Sequence, residues 1–260
     1  MTGAVAKPVY TSMGRVCIIG DVHGMTTMLA ELLDTLELKE GDTLISLGDL
    51  VDKGPDPVGS VQLLRNLRET APFPVILIEA NHEDRHLRYH RNLTERPGVA
   101  QQMAKTAPML AYLDDALGEK DRAFLASAVP FWQLPDIGIL CVHGGIPGNL
   151  KEFPESVEAA KSLSGKDGRQ LRQILRTRYI CQKSGAFLSY GKEKPGDPFW
   201  AEVYDGRFGH VVFGHQPFFE GPAEFPHATG IDTGAVDGGA LTALVVHEGG
   251  RRNYVSVRRK

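Results

Sequence analysis

Short apolar runs, each cut off by glycine, carboxylate or imidazole, set the rhythm of this chain. The first, residues 15–19, meets Gly20-Asp21-Val22-His23-Gly24. The second, 43–47, runs into Gly48-Asp49-Leu50-Val51-Asp52-Lys53-Gly54, and the third, 74–78, into Glu79-Ala80-Asn81-His82-Glu83-Asp84. Apolar runs without alternation predict strands covered on both faces. Between them, Met25, Met28, Leu29, Leu32, Leu33 and Leu36 fall at helical spacing, as do Val58, Val61, Leu64 and Leu67 just after Pro57. Strand, polar cluster and helix in repetition predict βαβ units and a largely parallel region, hence an α/β chain.

The middle of the chain has another character. Residues 85–130 are charged, with breaks at Pro97-Gly98 and Pro108, and predict a helical insertion with Tyr112, Leu113, Leu117, Phe124 and Leu125 as its apolar face. Residues 132–134 and 137–142 predict a hairpin that ends in His143-Gly144-Gly145. A polar loop with one short helix is expected over 147–170, a helix over 170–180 and a glycine-rich loop over 183–198. The last third predicts strands at 210–213, 228–233, 241–247 and 253–257, the first of them ending in Gly214-His215. No repeat or linker divides the chain, so one domain is expected over 15–260 after a mobile arm at 1–14.

Composition removes several function classes. With 42% hydrophobic and 23% charged residues, the chain reads as an ordinary globular protein. A formal net charge of -3 supplies no electrostatic footprint for nucleic acid or a membrane surface. No apolar run reaches the ~20 residues that span a bilayer, and residues 1–14 lack the apolar core of a signal peptide. Cys17, Cys141 and Cys181 have no metal-type spacing, and the first two lie inside apolar runs. Reduced, structural thiols and a cytoplasmic location are expected.

The strand ends hold the candidate chemistry: Asp21 with His23, Asp49 with Asp52, Asn81 with His82, then His143 and His215. Any one of these is also explained as a turn, since Gly, Asp and Asn dominate turns for backbone reasons. Four of the nine histidines, each just past an apolar run and beside glycine or asparagine, are harder to explain that way. Imidazole, carboxylate and amide oxygen form a donor set that suits Mn, Fe or Zn better than Ca or Mg.

In order and spacing, these five motifs resemble the signature of the phosphoprotein-phosphatase branch of the calcineurin-like metallophosphoesterases, over residues 15 to about 245. The resemblance implies two mixed β-sheets in a sandwich flanked by helices, with a two-metal centre at one end. It implies that Asp21 and His23 hold one metal, that Asp49 bridges, and that Asn81, His143 and His215 hold the other. Such a pair, ~4 Å apart, activates a bridging hydroxide for in-line attack at phosphorus. The metals expected are Mn first, with Fe, Zn, Co or Ni as further possibilities. His82 would protonate the leaving oxygen, and Asp52 would fix its tautomer. Arg176 resembles a phosphate-clamping arginine, with Arg178 as a competitor.

Two positions depart from the family pattern. Lys53 stands where arginine is usual, keeping a positive charge but losing the bidentate fork. Ala80 stands where glycine is usual, tolerable if its φ is negative. Lys53-Gly54-Pro55 and the 204–235 segment look closest to symmetrical diadenosine tetraphosphatases and bacterial-type serine/threonine phosphatases. A nucleoside polyphosphate is therefore the expected substrate, with a phosphoprotein as the alternative.

Two readings compete with this one. His82-Glu83-Asp84-Arg85-His86 matches the His-Glu-x-x-His zinc-peptidase motif. That reading needs both histidines on one helix, whereas here the motif begins at a strand end, and it leaves the other clusters unexplained. His86 and His90 are expected to line a helix face near the site entrance. A non-catalytic binding module on the same fold is disfavoured because every expected ligand is in place.

Overall fold

The computed structural model describes residues 14–259, so the arm expected at 1–14 lies almost wholly outside the described residues. The first half alternates as the apolar pattern predicts: β1 (Val16–Ile19), α1 (Thr26–Leu36), β2 (Thr43–Ser46), α2 (Pro57–Thr70) and β3 (Val75–Leu77). Pro57 opens α2, and the Asp56 carboxylate accepts the Gly59 N–H at 2.9 Å, so the helix start is capped as its sequence directs. Four helices follow, α3 (Asn81–Glu95), α4 (Pro97–Thr106), α5 (Met109–Ala116) and α6 (Glu119–Ala126). Then come β4 (Trp132–Leu134), β5 (Ile139–Cys141), α7 (Val157–Ser162), α8 (Gly165–Leu171) and α9 (Trp200–Val203). The chain closes with β6 (His210–Phe213), β7 (Ala223–Phe225), β8 (Ala228–Gly230), β9 (Ala240–Val246) and β10 (Arg252–Arg258).

The strands form two five-stranded sheets, ordered β10-β9-β1-β2-β3 and β4-β5-β6-β8-β7. Both are mixed. β1, β2 and β3 run parallel while β9 and β10 pair antiparallel, and β5, β6 and β8 run parallel between antiparallel β4 and β7. Alternate residues of each strand go to different cores. Ile18, Ile45, Cys141, Val212 and Leu244 pack between the sheets. Cys17, Ile19, Leu44, Ala243 and Val245 turn outward onto α1, α2 and α6, and Leu140, Val211 and Phe213 onto the α7–α9 side. Helices cover both outer faces, which is why these strands are apolar throughout instead of alternating. Cys17 and Cys141 are buried free thiols, and burial pushes the Cys17 thiol up to about 11.

Three local expectations are corrected. The helix expected over 170–180 ends early: α8 stops at Leu171, and a 3₁₀ turn, Arg172–Leu175, follows. The Ile174 carbonyl, which a continuing helix would use, instead accepts the Gly144 and Gly145 N–H groups at 2.8 and 2.9 Å. The 147–170 segment holds two short helices, the first capped by Ser156. The sequence pattern also missed β7, a three-residue edge strand too short to show alternation. Among the described residues no helix is long and apolar enough to cross a membrane.

Candidate active site

All five polar clusters follow the carboxyl ends of mutually parallel strands, β1, β2 and β3 in one sheet and β5 and β6 in the other. This is where α/β sheets place ligand sites. The turns there are tight. His23, Asp49, Asp52, Lys53 and His215 have φ between 45° and 68°, and among the described residues only Glu37 is a further non-glycine with positive φ. Each such backbone costs of order 1 kcal/mol, and strain of this kind gathers at functional sites. Gly48, at φ 88°, has no room for a side chain, because a Cβ there would lie 2.5 Å from the Ala80 Cβ. Ala80 itself has φ -118°, so its methyl is unstrained.

Asp49 is the hub. Its Oδ2 lies 3.3 Å from His23 Nε2, 3.4 Å from His143 Nε2 and 3.9 Å from His82 Nε2. Two groups of metal-capable atoms, His23–Asp49–His82 and Asp49–His143–His215, each lie within 4.8 Å and share this carboxylate. The imidazoles are aimed by backbone carbonyls: His23 Nδ1 donates to Val51 O at 2.9 Å and His143 Nδ1 to Leu47 O at 2.8 Å. That fixes each ring's orientation and turns its Nε2 toward the centre of the site. Asn81 joins the second group, its Oδ1 2.9 Å from His143 Nε2. Asp21, expected beside His23, lines the same cavity as His23 but accepts the His215 N–H at 3.0 and 3.1 Å.

The charges around this hub are unbalanced in the direction a cation would correct. Burial, then the neighbouring Asp232, holds the Asp21 carboxyl well above its usual range. Asp232 is pushed up to about 6, again by burial and then by Asp49. Burial works against the Asp49 carboxylate too, but His143, His82 and His23 outweigh it and hold the group well below its usual range. Burial, joined by Lys53 and His82, lowers His23 to about 4 and keeps it a neutral donor. Burial and His143 likewise hold His215 well below its usual value. One cation is already drawn in: Lys53 Nζ donates to His23 Nε2 at 3.0 Å. His143 goes the other way: burial works against its charge, but Asp49 and then Asp21 outweigh it and raise the group to about 9, so the chain itself supplies positive charge to this centre. Carboxylates of Asp21, Asp49 and Asp232 gathered with the imidazoles of His23, His143 and His215 make a donor set that fits divalent metal ions.

His82 stands at the edge of this centre, on the first turn of α3. Its Nδ1 meets Asp52 Oδ2 at 2.5 Å, as expected for an orienting carboxylate. Asp52 also accepts Arg85 Nη2 at 2.6 Å and His86 Nε2 at 2.8 Å. His86 is therefore buried under the site and does not line its entrance, while half-exposed His90 pairs with Asp114 at 2.8 Å. Because α3 begins at Asn81, His82 and His86 do share one helix, contrary to the strand-end expectation. The peptidase reading fails on how the side chains are used. Both imidazoles are spent on one carboxylate, and fully buried Glu83 turns beneath the Asp49 turn, accepting the N–H groups of Asp49 (3.0 Å), Leu50 (2.6 Å) and Val51 (3.3 Å). Glu83 and His86 were missed as site residues because their role depends on a turn more than 30 residues away.

Arg176 and Arg178 both reach the site. Arg176 borders a cavity with Asn81 and His215 while its Nη2 is held by Asp84 at 2.6 Å. Arg178 borders the same cavity and donates from Nη2 to the His215 carbonyl at 2.5 Å. Asp84 is buried and also takes Arg172, so it anchors the arginine expected to meet phosphate.

Comparison with known proteins agrees with this geometry. The sequence profile described as Calcineurin-like phosphoesterase matches residues 14–223. A bis(5'-nucleosyl)-tetraphosphatase PrpE [asymmetrical] from Oceanobacillus iheyensis is 28% identical over 255 residues, covering 94% of this chain and 92% of the relative. A symmetrical bis(5'-nucleosyl)-tetraphosphatase from Pseudomonas entomophila is 27% identical, covering 89% and 90%. A crystal structure of a candidate diadenosine tetraphosphatase superposes with a TM-score of 0.70 at 27% identity, over 96% of both chains. A protein serine/threonine phosphatase from Saccharomyces cerevisiae shares the fold, with a TM-score of 0.60 at 14% identity over 97% of this chain and 82% of that one.

Proposed function

The chain belongs to the calcineurin-like phosphoesterase family and is a metal-dependent hydrolase of phosphoric esters or anhydrides; from that premise, we propose that it cleaves dinucleoside polyphosphates such as diadenosine tetraphosphate. The observation that carries this reading is the Asp49 carboxylate shared by two groups of metal-capable atoms, one of which includes His82. Relatives 25–28% identical over most of both chains carry tetraphosphatase names, whereas the phosphoprotein phosphatase is alike in fold alone. Asp21, His23 and Asp49 would hold one divalent ion, and Asp49, Asn81, His143 and His215 the other. The mixed set of imidazoles, carboxylates and an amide oxygen suits Mn, Fe or Zn better than Ca or Mg; Mn is the first candidate, with Fe, Zn, Co or Ni as alternatives. Such ions, held there, would supply an activated water and offset charge on the phosphoryl oxygens.

The chain's own residues handle the rest. His82, held by Asp52 through Nδ1, presents Nε2 toward Asp49 and gives its proton to the departing oxygen. Asp52 also takes Arg85 and His86, so the imidazole it orients cannot swing away from the reacting phosphorus. Lys53 lines one cavity at the centre and Arg176 the other, and they serve as cations for the phosphoryl oxygens. The free thiols suit the reducing cytoplasm.

The test is a Mn²⁺-supplemented comparison of diadenosine tetraphosphate, a phosphopeptide and p-nitrophenyl phosphate. The dinucleotide is expected to have the highest kcat/KM. Release of ADP alone, or of AMP with ATP, identifies the anhydride that is cut. A phosphopeptide preferred by orders of magnitude overturns the substrate assignment.

A further inference from the structure

Two cavities of about 360 and 290 Å³ open beside the Asp49 centre, and Arg178, Tyr179, Tyr190, Glu193 and His215 line both. Tyr190 borders both and is 86% exposed, although it is a large aromatic side chain. Its place is built. The Leu188 N–H donates to the Tyr179 carbonyl at 3.1 Å, and Phe187 bridges to Ile180, which ties down the loop that carries Tyr190. The Arg178 guanidinium stands 5.6 Å from the centre of the ring, and its hydrogen bond to the His215 carbonyl fixes it there. Arg178 Nε is buried with no partner. Phe187 and Leu188 add apolar wall to the smaller cavity. A tethered aromatic ring, backed by a fixed cation and left bare to water, offers a flat apolar platform next to a phosphate-binding centre.

We propose that Tyr190, backed by Arg178, is the stacking platform for a nucleobase of the substrate. This rests on the nucleotide reading above. The geometry divides the substrate: phosphates lie at the cationic and metal-capable end with Lys53 and Arg176, and the base lies over Tyr190 beyond His215. Glu193, the carboxylate beside Tyr190, repels phosphate and so keeps this direction. Stacking on an aromatic ring is tolerant of base identity, because every base presents a π face. The platform therefore selects nucleotides over base-free polyphosphates without selecting among bases.

The experiment measures inhibition of p-nitrophenyl phosphate hydrolysis by ADP and by inorganic pyrophosphate, using Mn²⁺-loaded enzyme and its Tyr190→Ala and Tyr190→Phe variants. Base stacking predicts an ADP inhibition constant raised roughly 5- to 10-fold in Tyr190→Ala, the lower part of the range for stacked bases. Pyrophosphate inhibition should move by less than about twofold, and Tyr190→Phe should retain ADP binding, since a phenyl ring stacks as well. The proposal is overturned if ADP and pyrophosphate shift together, if neither shifts, or if Tyr190→Phe loses as much as Tyr190→Ala. The ratio is read without dinucleotide turnover. Failure of the substrate assignment, seen as no preference for diadenosine tetraphosphate, is thus distinguishable from failure of the platform.

Discussion

Replacing Glu83 by glutamine tests whether the Asp49 turn is held from beneath. The Glu83 side chain is fully buried, with Oε2 accepting the Asp49 N–H and Oε1 those of Leu50 and Val51. Glutamine has nearly the same shape but one acceptor. In its better orientation it keeps Leu50 and Val51 and turns an NH₂ group toward the Asp49 N–H. One buried donor left unsatisfied costs about 1–3 kcal/mol. Part is offset, because burial and then Asp49 already hold the Glu83 carboxyl above its usual range, so its ionised form is itself costly. A net loss of about 1–2 kcal/mol lowers Tm by roughly 2–8 °C for a chain of this size. Removing a group that orients a metal ligand weakens metal binding about 10- to 100-fold. Thermal unfolding of the metal-free protein and calorimetric titration with Mn²⁺ read both effects. A Glu83→Gln protein that melts within about 1 °C of wild type and binds Mn²⁺ unchanged refutes the idea that this carboxylate holds the turn.

Asp49→Asn removes the carboxylate shared by both metal-capable groups, so Mn²⁺ stoichiometry and p-nitrophenyl phosphate hydrolysis should fall together; unchanged hydrolysis would refute a catalytic centre built on Asp49, and no hydrolysis by wild type would point to a binding module. His86→Ala should keep full metal stoichiometry and lose about tenfold in kcat, because His86 supports Asp52 and does not hold metal; loss of metal in this variant would restore the peptidase reading. His210, away from the site and bonded to Thr229, is lowered to about 4 by burial, with Arg252 and His227 adding to the effect. The unfolded chain takes up this proton near pH 6.5 and the folded one only near 4, so the stability is present above 6.5 and lost as pH falls toward 4. The loss is at most about 2 kcal/mol for a half-buried ring. His210→Gln should flatten that limb in pH-dependent urea unfolding, and an unchanged limb would mean that His210 does not titrate in the folding equilibrium.

Residue order alone determined the site-bearing strands, the helices that follow β1 and β2, and the polar clusters at the strand ends. Each rests on local periodicity or on an abrupt change from apolar to polar, and both survive in one dimension. Asp49 and the histidines around it were legible for that reason, whereas the pairing of Asp52 with His82 came only with the family resemblance. What the tertiary structure alone decided was how side chains distant in sequence share one another. Glu83 beneath the Asp49 turn, His86 on Asp52 and Asp84 on Arg176 span separations of 34, 34 and 92 residues. No periodicity encodes such pairings. Burial and hydrogen-bond geometry fix them only once the sheets have brought the turns together. The helix start at Asn81 shows the same division: the His-Glu-x-x-His spacing is real, and only the fold reveals that both of its imidazoles are bound to one carboxylate.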